Sequence, residues 1–399
     1  MRVLIGAFGT RGDVQPMLAL SLALTARGHR VTLVVPPEAA ALTEGHPIRV
    51  HTCGLSYLEV SQRMASGRLL DVLSVLPTMR RQVDAHFEAL EPLAGSADVI
   101  VGSAAFIVGP SLSALTGRPY AYFALSPLML DGDDNPGPLL PFYRLPRALN
   151  RLSWWLTHQV WNLSSRGRLN RLRRTRGLPT IRQVWREVLG KHPFLAAEPL
   201  FAPRSHPFAV NQPGGFFLDT TEPLSEATEA FLEAGSPPVY LGFGSMADPN
   251  PRRTTERLLK SIRRAGLRAI VSSGWAKLGG VEAPEGVRFA GPEPHHRLFS
   301  RCIGVVHHGG AGTTHAAARA GVPQVVMPQI LDQFHWRHRL IELGLSPGRV
   351  DRYERDPEPL ARALRALTDP RLQARARGFA ARMRVDGSND AVTALETLR

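Results

Sequence analysis

Apolar and polar positions along the chain alternate between strand-like and helix-like runs, in two stretches separated by a turn-rich break. Arg2–Phe8 (RVLIGAF) is a nearly unbroken apolar run, the pattern of a strand covered on both faces. A helical pattern follows over 16–27 (PMLALSLALTAR), Gly28 is placed to stop it, and 30–36 (RVTLVVP) reads as the next strand. Pro16 stands near the expected helix start, where proline is best tolerated. Further strands are predicted at 98–102 (DVIVG) and 119–124 (PYAYFA), with helical segments between them. Apolar strands alternating with helices imply a parallel sheet sandwiched between helical layers.

Residues 131–141 (DGDDNPGPLLP) interrupt this pattern with turn formers, and a long helical region rich in Arg and Trp follows over 145–176. The segments 212–221 (QPGGFFLDTT) and 234–238 (AGSPP) bracket an expected interdomain linker. Alternation restarts at 239–243 (VYLGF) and continues through 268–272, 287–290, 303–307 and 324–327, and 371–399 reads as terminal helices. The predicted architecture is α/β, with two Rossmann-like domains facing each other across a cleft and ligands at the carboxyl ends of the strands. Its expected divisions are an N-terminal domain over 1–215, a linker over 216–236 and a second domain over 237–384, with a C-terminal helix at about 385–399 packing back on the first domain.

Composition narrows the class. A chain of 399 residues, 44% apolar and 21% charged, suffices for two folded domains and excludes disordered and collagen-like architectures. Two distant cysteines, Cys53 and Cys302, cannot build a disulfide framework, which points to a reducing cytoplasm. No stretch approaches the ~18–20 apolar residues of a membrane span. The opening MRVLIGAFGTRGD lacks the apolar core and cleavage site of a secretory signal.

Charge changes the picture locally. Of the formal +14, +11 falls within 144–191, where twelve Lys/Arg face one acid, Glu187. Arg with Trp is the chemistry of nucleic-acid backbone and base contacts. A nucleic-acid role would leave the glycine-rich motifs unexplained, so no nucleic-acid partner is expected. Trp154, Trp155 and Trp161 suit an apolar–polar boundary, and Arg can lay its stem on apolar surface while its head stays wet. The segment therefore fits a surface lying on anionic lipid at the cytoplasmic face or the rim of a pocket for a large apolar molecule, and the resemblance that the motifs below carry implies the latter, an acceptor-pocket rim at Trp154 and Trp155 with weak peripheral membrane contact.

The strongest motif is 305–314 (VVHHGGAGTT), a buried strand ending in two histidines and a glycine-rich turn that opens a helix. Such a turn permits close backbone approach, and a helix N-terminus offers free N–H groups to an anion. A His308 N–H and the Thr313 hydroxyl would add directed donors to a diphosphate. Neither a GxxxxGKS/T phosphate loop nor a GxGxxG after a strand is present, which counts against triphosphate hydrolysis and ordinary dinucleotide binding.

With HHGGAGTT at 307–314, PQILDQ at 328–333 and GTRGDVQP at 9–16, the chain resembles the family 1 glycosyltransferases of GT-B fold, in their bacterial natural-product and sterol-type branch. The resemblance spans essentially the whole sequence. It implies a C-terminal domain that binds a nucleotide-sugar, an N-terminal domain that binds the acceptor, and transfer with inversion and no metal or other cofactor. Carried over by position, it assigns His308, Thr313 and the backbone N–H groups of Ala311 and Gly312 to the diphosphate, and Asp332 with Gln333 to donor-sugar hydroxyls. Gly244 and Ser245, in the turn GFGSM at 242–246, match the phosphate-contacting loop. Trp275 (SGW, 273–275) and His295 (PHHRLF, 294–299) match positions beside the nucleobase. Many relatives use a histidine as catalytic base. No histidine occurs between residues 1 and 27, and the expected base is Asp13, in a loop at the end of the first strand.

Two other constellations are discounted. Asp131 and Asp133 fit a DxD metal pattern but sit among turn residues, and His335 with His338 share a helix face without a third ligand. The expected reaction is transfer of a hexose, with glucose favoured by the Asp332–Gln333 pair, from a UDP- or dTDP-sugar to a hydroxyl of a polyketide, macrolide, terpenoid or sterol. The rival enzyme is a GT-B nucleotide-sugar epimerase, which shares the diphosphate site and needs no acceptor.

Overall fold

The apolar runs form the strands of two all-parallel sheets in a computed structural model that describes residues 1–63, 74, 76–133, 135–140, 143, 145–202 and 209–398. The first sheet has six strands: β1 (Arg2–Phe8), β2 (Arg30–Val35), β3 (Arg49–Thr52), β4 (Val99–Ala104), β5 (Tyr120–Ala124) and β6 (Pro193–Leu195), in the order β3-β2-β1-β4-β5-β6. β1 pairs with β2 from Arg2↔Arg30 and with β4 from Val3↔Val99, and this central position explains why six of its seven residues are buried. The second sheet has five strands: β7 (Val239–Gly242), β8 (Ala269–Ser272), β9 (Val287–Ala290), β10 (Gly304–His307) and β11 (Gln324–Val326), in the order β11-β10-β7-β8-β9.

The described residues divide into two compact units, one reaching to Leu218 and taking in the last helix from Arg384, the other running from Asp219 to Met383. The last helix, Gly387–Glu396, sets Ala391, Val392 and Leu395 into the core of the first unit beside Leu18, Leu24 and Val31. Glu396 ties it down through Arg27 (2.6 Å) and His29 (2.7 Å). Within the stretch expected as linker, Glu226–Glu233 is a helix of the second unit, capped by Ser225 Oγ, which accepts the Thr228 N–H.

The helix after β1 corrects one expectation. It covers Arg11–Ala26, five residues earlier than the apolar pattern, so Pro16 lies inside it and Asp13 stands in its first turn instead of in a loop. The cause is local: Thr10 is the N-cap, and Asp13 Oδ2 accepts from the Thr10 N–H (2.7 Å) and hydroxyl (3.2 Å). A capping box starts a helix without any apolar periodicity. Among the described residues no helix is long and apolar enough to cross a membrane.

Candidate active site

In the second unit the carboxyl ends of β7, β8, β10 and β11 gather the glycine-rich turns. β10 ends at His307, which is fully buried. Its Nδ1 accepts the Gly309 N–H (3.1 Å), so Nε2–H donates to Gln324 Oε1 (2.9 Å), and Gln324 in turn donates to the Thr314 carbonyl (3.2 Å). Burial lowers the His307 pKa to about 4. This neutral imidazole shapes the turn and is unavailable to a ligand.

His308 occupies a slot between two glycines. A Cβ on Gly244 would lie 3.0 Å from its Cε1, and one on Gly310 would lie 2.4 Å from its Nε2. Burial, reinforced by the charges of His307, Arg352 and His295, lowers its pKa to about 3. The ring is therefore neutral near pH 7 and carries one N–H, and its Nδ1 is buried without a hydrogen-bond partner among the described residues. Leaving such a group unsatisfied costs roughly 1–3 kcal/mol, which a ligand contact would recover.

Gly310 is the N-cap of the helix Ala311–Arg319. The N–H groups of Ala311 and Gly312 have no acceptor within the helix, and its positive end faces the His308 slot. Of the two threonines, Thr314 is buried and its hydroxyl donates back to the Gly310 carbonyl (2.9 Å). Thr313 is half-buried, and its hydroxyl makes no hydrogen bond among the described residues. Trp275 is tied to the β7 turn through its backbone N–H, which donates to the Gly244 carbonyl (3.0 Å), and a Cβ on neighbouring Gly274 would meet that same carbonyl at 2.8 Å. His295, at the head of the short helix His295–Leu298, stacks on Phe299 (4.4 Å between centroids) and meets Tyr240 edge-on (5.8 Å).

The 328–333 segment closes on the same turn, because Gly309 (φ 94°) passes so near that a Cβ there would lie 2.9 Å from the Gln333 carbonyl. Leu331 is held at φ 52°, left-handed backbone that costs a non-glycine residue roughly 1–3 kcal/mol. Asp332 follows at the N-cap position of the helix Gln333–Glu342 without capping it, and its Oδ2 accepts the Trp336 indole N–H (2.9 Å). Gln333 is buried, and its Oε1 accepts the N–H groups of Gln329 (2.7 Å) and Ile330 (3.1 Å). Only its amide N–H groups remain to meet a ligand.

Sequence reasoning missed Arg352. Its guanidinium lies over the Phe243 ring (3.8 Å), pairs with Asp248 (2.8 Å) with both side chains almost wholly buried, and adds to the field that keeps His308 neutral. Asp248 closely follows the GFGSM turn, but nothing local announces a partner 104 residues away.

In the first unit Asp13 raises the pKa of the phenols of Tyr57 and Tyr122, in both cases after the larger effect of burial. Trp154 and Trp155 line a cavity of about 650 Å³ together with Arg151, Arg186 and Lys191. They differ in setting: Trp154 is buried and donates to the Asn135 carbonyl (2.9 Å), while Trp155 is exposed. The carboxylates of the DGD turn are engaged within the protein, Asp131 with His158 (3.0 Å) and Asp133 with Arg151 (2.8 Å). Among the described residues no group of three His, Cys, Asp or Glu could hold a metal ion. Both cysteines are free thiols.

Two family models match the chain: the glycosyltransferase family 28 N-terminal domain over residues 3–115, and the C-terminal domain of erythromycin biosynthesis protein CIII-like proteins over 268–395. The vancomycin aglycone glucosyltransferase of Amycolatopsis orientalis is 32% identical over 97% of this chain and 95% of its own. The sterol 3-beta-glucosyltransferase UGT80B1 of Arabidopsis thaliana is 29% identical over 94% of this chain and 64% of its own. Among solved structures, glycosyltransferase VinC in complex with dTDP superposes with a TM-score of 0.72 at 19% identity, covering 100% of this chain and 99% of its own.

Proposed function

The chain belongs to the family 1 glycosyltransferases of GT-B fold, of natural-product and sterol type, and from that premise we propose that it moves a hexose, glucose, from a nucleoside diphosphate sugar to a hydroxyl of an apolar small molecule with inversion at the anomeric carbon. The observation that carries this is the His308 slot: a neutral, glycine-walled imidazole with a buried unpartnered nitrogen, beside the free N–H groups of a helix N-terminus. Such an array suits a diphosphate whose negative charge grows as the sugar departs, because the donors are fixed before the charge develops. It supplies that stabilisation without a divalent ion, and transfer is expected to survive chelation.

Asp332 accepts from sugar hydroxyls and Gln333 donates to them through its amide. Trp275 stacks on the base and His295 lies beside it, while Gly244 and Ser245 approach the phosphates. Asp13 takes the proton from the acceptor hydroxyl as that oxygen attacks. Its capping bonds from Thr10 orient the carboxylate. The donor nucleotide is UDP or dTDP, and the acceptor is of polyketide, macrolide, terpenoid or sterol type. Nothing in the comparisons supports the epimerase reading. Mass spectrometry of products from UDP-glucose and dTDP-glucose, each offered with a panel of such acceptors, should show adducts heavier by one hexosyl unit. Release of an isomerised sugar with no adduct would overturn the proposal.

A further inference from the structure

The helical segment between β5 and β6 is built inside out. In the helix Arg147–Trp161, the polar residues Asn150, Ser153, Thr157 and His158 point inward with Trp154, while Leu149, Leu152, Trp155 and Leu156 are each 43–57% exposed. At 100° per residue those four apolar side chains fall within an arc of about 120°. The π-helical turn Asn162–Arg166 continues the inversion, burying Asn162, Ser164 and Ser165 and leaving Leu163 67% exposed. Five of the nine exposed large apolar side chains among the described residues thus lie in one stretch of 15.

Each of these inward polar residues makes a hydrogen bond, although Asn150 Oδ1 has no partner among the described residues. Asn150 donates to the Asp133 carbonyl (2.7 Å), Ser153 Oγ accepts the Gly137 N–H (2.8 Å), Thr157 donates to the Ser153 carbonyl (2.9 Å) and Asn162 Oδ1 accepts the Val184 N–H (3.0 Å). The bonds of Asn150, Ser153 and Asn162 to other segments fix the helix rotation, so the leucines are held outward by the fold itself.

Exposed cations accompany the stripe, Arg186 and Lys191 on the cavity that Trp155 lines and Arg166, Arg171 and Arg174 along the helical segment that continues it. Arg166, Arg171, Arg174, Arg186 and Lys191 have no acidic partner among the described residues. This combination selects its occupant. An apolar protein interface has a core depleted in charge, and a second copy of this face would set cations against cations. A nucleic acid would use the arginines and leave the leucines in water. An anionic bilayer uses both: leucines sink to the acyl boundary, tryptophan sits at the interface and guanidinium groups reach lipid phosphates. We propose that this face is a docking surface for an anionic phospholipid bilayer, entered by Leu149, Leu152, Trp155, Leu156 and Leu163.

The full chain should cosediment with vesicles of phosphatidylglycerol and phosphatidylcholine, and bind pure phosphatidylcholine at least about tenfold more weakly. High salt should weaken binding by a similar factor of about ten. Leu149→Ser, Leu152→Ser and Leu156→Ser together should weaken it about tenfold at unchanged melting temperature, as should Arg166→Glu with Arg171→Glu. Brominated lipid should quench tryptophan emission, and Trp155→Phe should remove that quenching. Should the triple variant fail to fold, Leu163→Ser and the quenching measurement carry the test. Absence of binding to anionic vesicles overturns the proposal, as does binding that is insensitive to the leucines. Self-association that the leucine variant abolishes, without vesicle binding, would assign the face to a second copy instead.

Discussion

Replacing Gly310 with alanine isolates the His308 slot from everything around it. Gly310 has φ −65° and ψ 142°, which alanine adopts freely. The loss of chain entropy favours the variant by ~0.4–1 kcal/mol, and alanine's poorer N-capping opposes it by about as much. Net stability should therefore change by less than about 1 kcal/mol. What does change is contact: the new Cβ would lie 2.4 Å from His308 Nε2, about 1 Å inside an ordinary van der Waals separation, while Gly244 also packs against the ring. The imidazole must leave its slot. A neutral N–H donating to a charged phosphate oxygen is worth roughly 1.5–3 kcal/mol, so affinity for UDP or dTDP should fall about 10- to 150-fold.

Titration calorimetry reads that loss directly, and a double-mutant cycle identifies its cause. If the alanine acts by expelling His308, then Gly310→Ala added to His308→Ala should cost almost nothing further, and the coupling should equal nearly the whole single effect. Wild-type nucleotide affinity in Gly310→Ala would refute the reasoning, and so would losses that simply add.

Four further outcomes follow from the same geometry. Gly312→Ala, where a Cβ meets nothing within 4 Å, should raise the melting temperature through ~0.4–1 kcal/mol of reduced chain entropy yet weaken nucleotide binding, and unchanged affinity would place the phosphates elsewhere. Asp13→Asn keeps an acceptor for the Thr10 N–H, so folding and donor binding should persist while transfer falls by at least ~100-fold, and retained turnover would assign the base to another group. Asp332→Asn should impair use of the sugar donor about tenfold or more while sparing free UDP or dTDP, whose equal weakening would sink that division of roles. Acid should destabilise the fold: burial lowers the pKa values of His86, His307, His308, His315 and His335 to between about 3 and about 4. The unfolded chain takes up those protons near pH 6.5, so this stability is complete above pH 6.5 and drains as pH falls towards 3, by up to ~1.4 kcal/mol per pH unit for each histidine. A melting temperature flat between pH 7 and pH 4 would contradict it.

Nine of the eleven strands could be read from the chain: the seven central ones because parallel strands inside a sheet are apolar on both faces, and the second sheet's edges β9 and β11 from their own short apolar runs. The two missed were the edges of the first sheet. β3 is RVHT, with no residue fully buried, and β6 is three residues opening on a proline, which a strand tolerates only where its missing N–H is not needed. Edge strands are specified by the neighbour they pair with more than by their own composition. The inverted helix Arg147–Trp161 shows the complementary failure. Its periodicity was visible, but an amphipathic pattern cannot say which face turns inward when serine, threonine, asparagine and histidine all find partners in the interior.

The candidate site divides along the same line. Motif residues were legible where chemistry follows from short spacing, as with a glycine-rich turn opening a helix. They were illegible where it depends on orientation. His307 and His308 are identical in the sequence, and only the close of β10 against β11 separates them, sending one ring to Gln324 and the other into the slot. Thr313 and Thr314 part in the same way, because the second hydroxyl turns back to the Gly310 carbonyl. The glycines have a meaning that spacing alone does not carry. Gly310 needs no unusual backbone angle, and its missing Cβ is the space the His308 ring fills. Gly309 lacks one because the Gln333 carbonyl passes there. The pattern HHGGAGTT is thus in part the imprint of an imidazole and of a neighbouring loop. A substitution that preserves backbone conformation at Gly310 should therefore act on nucleotide binding before it acts on folding.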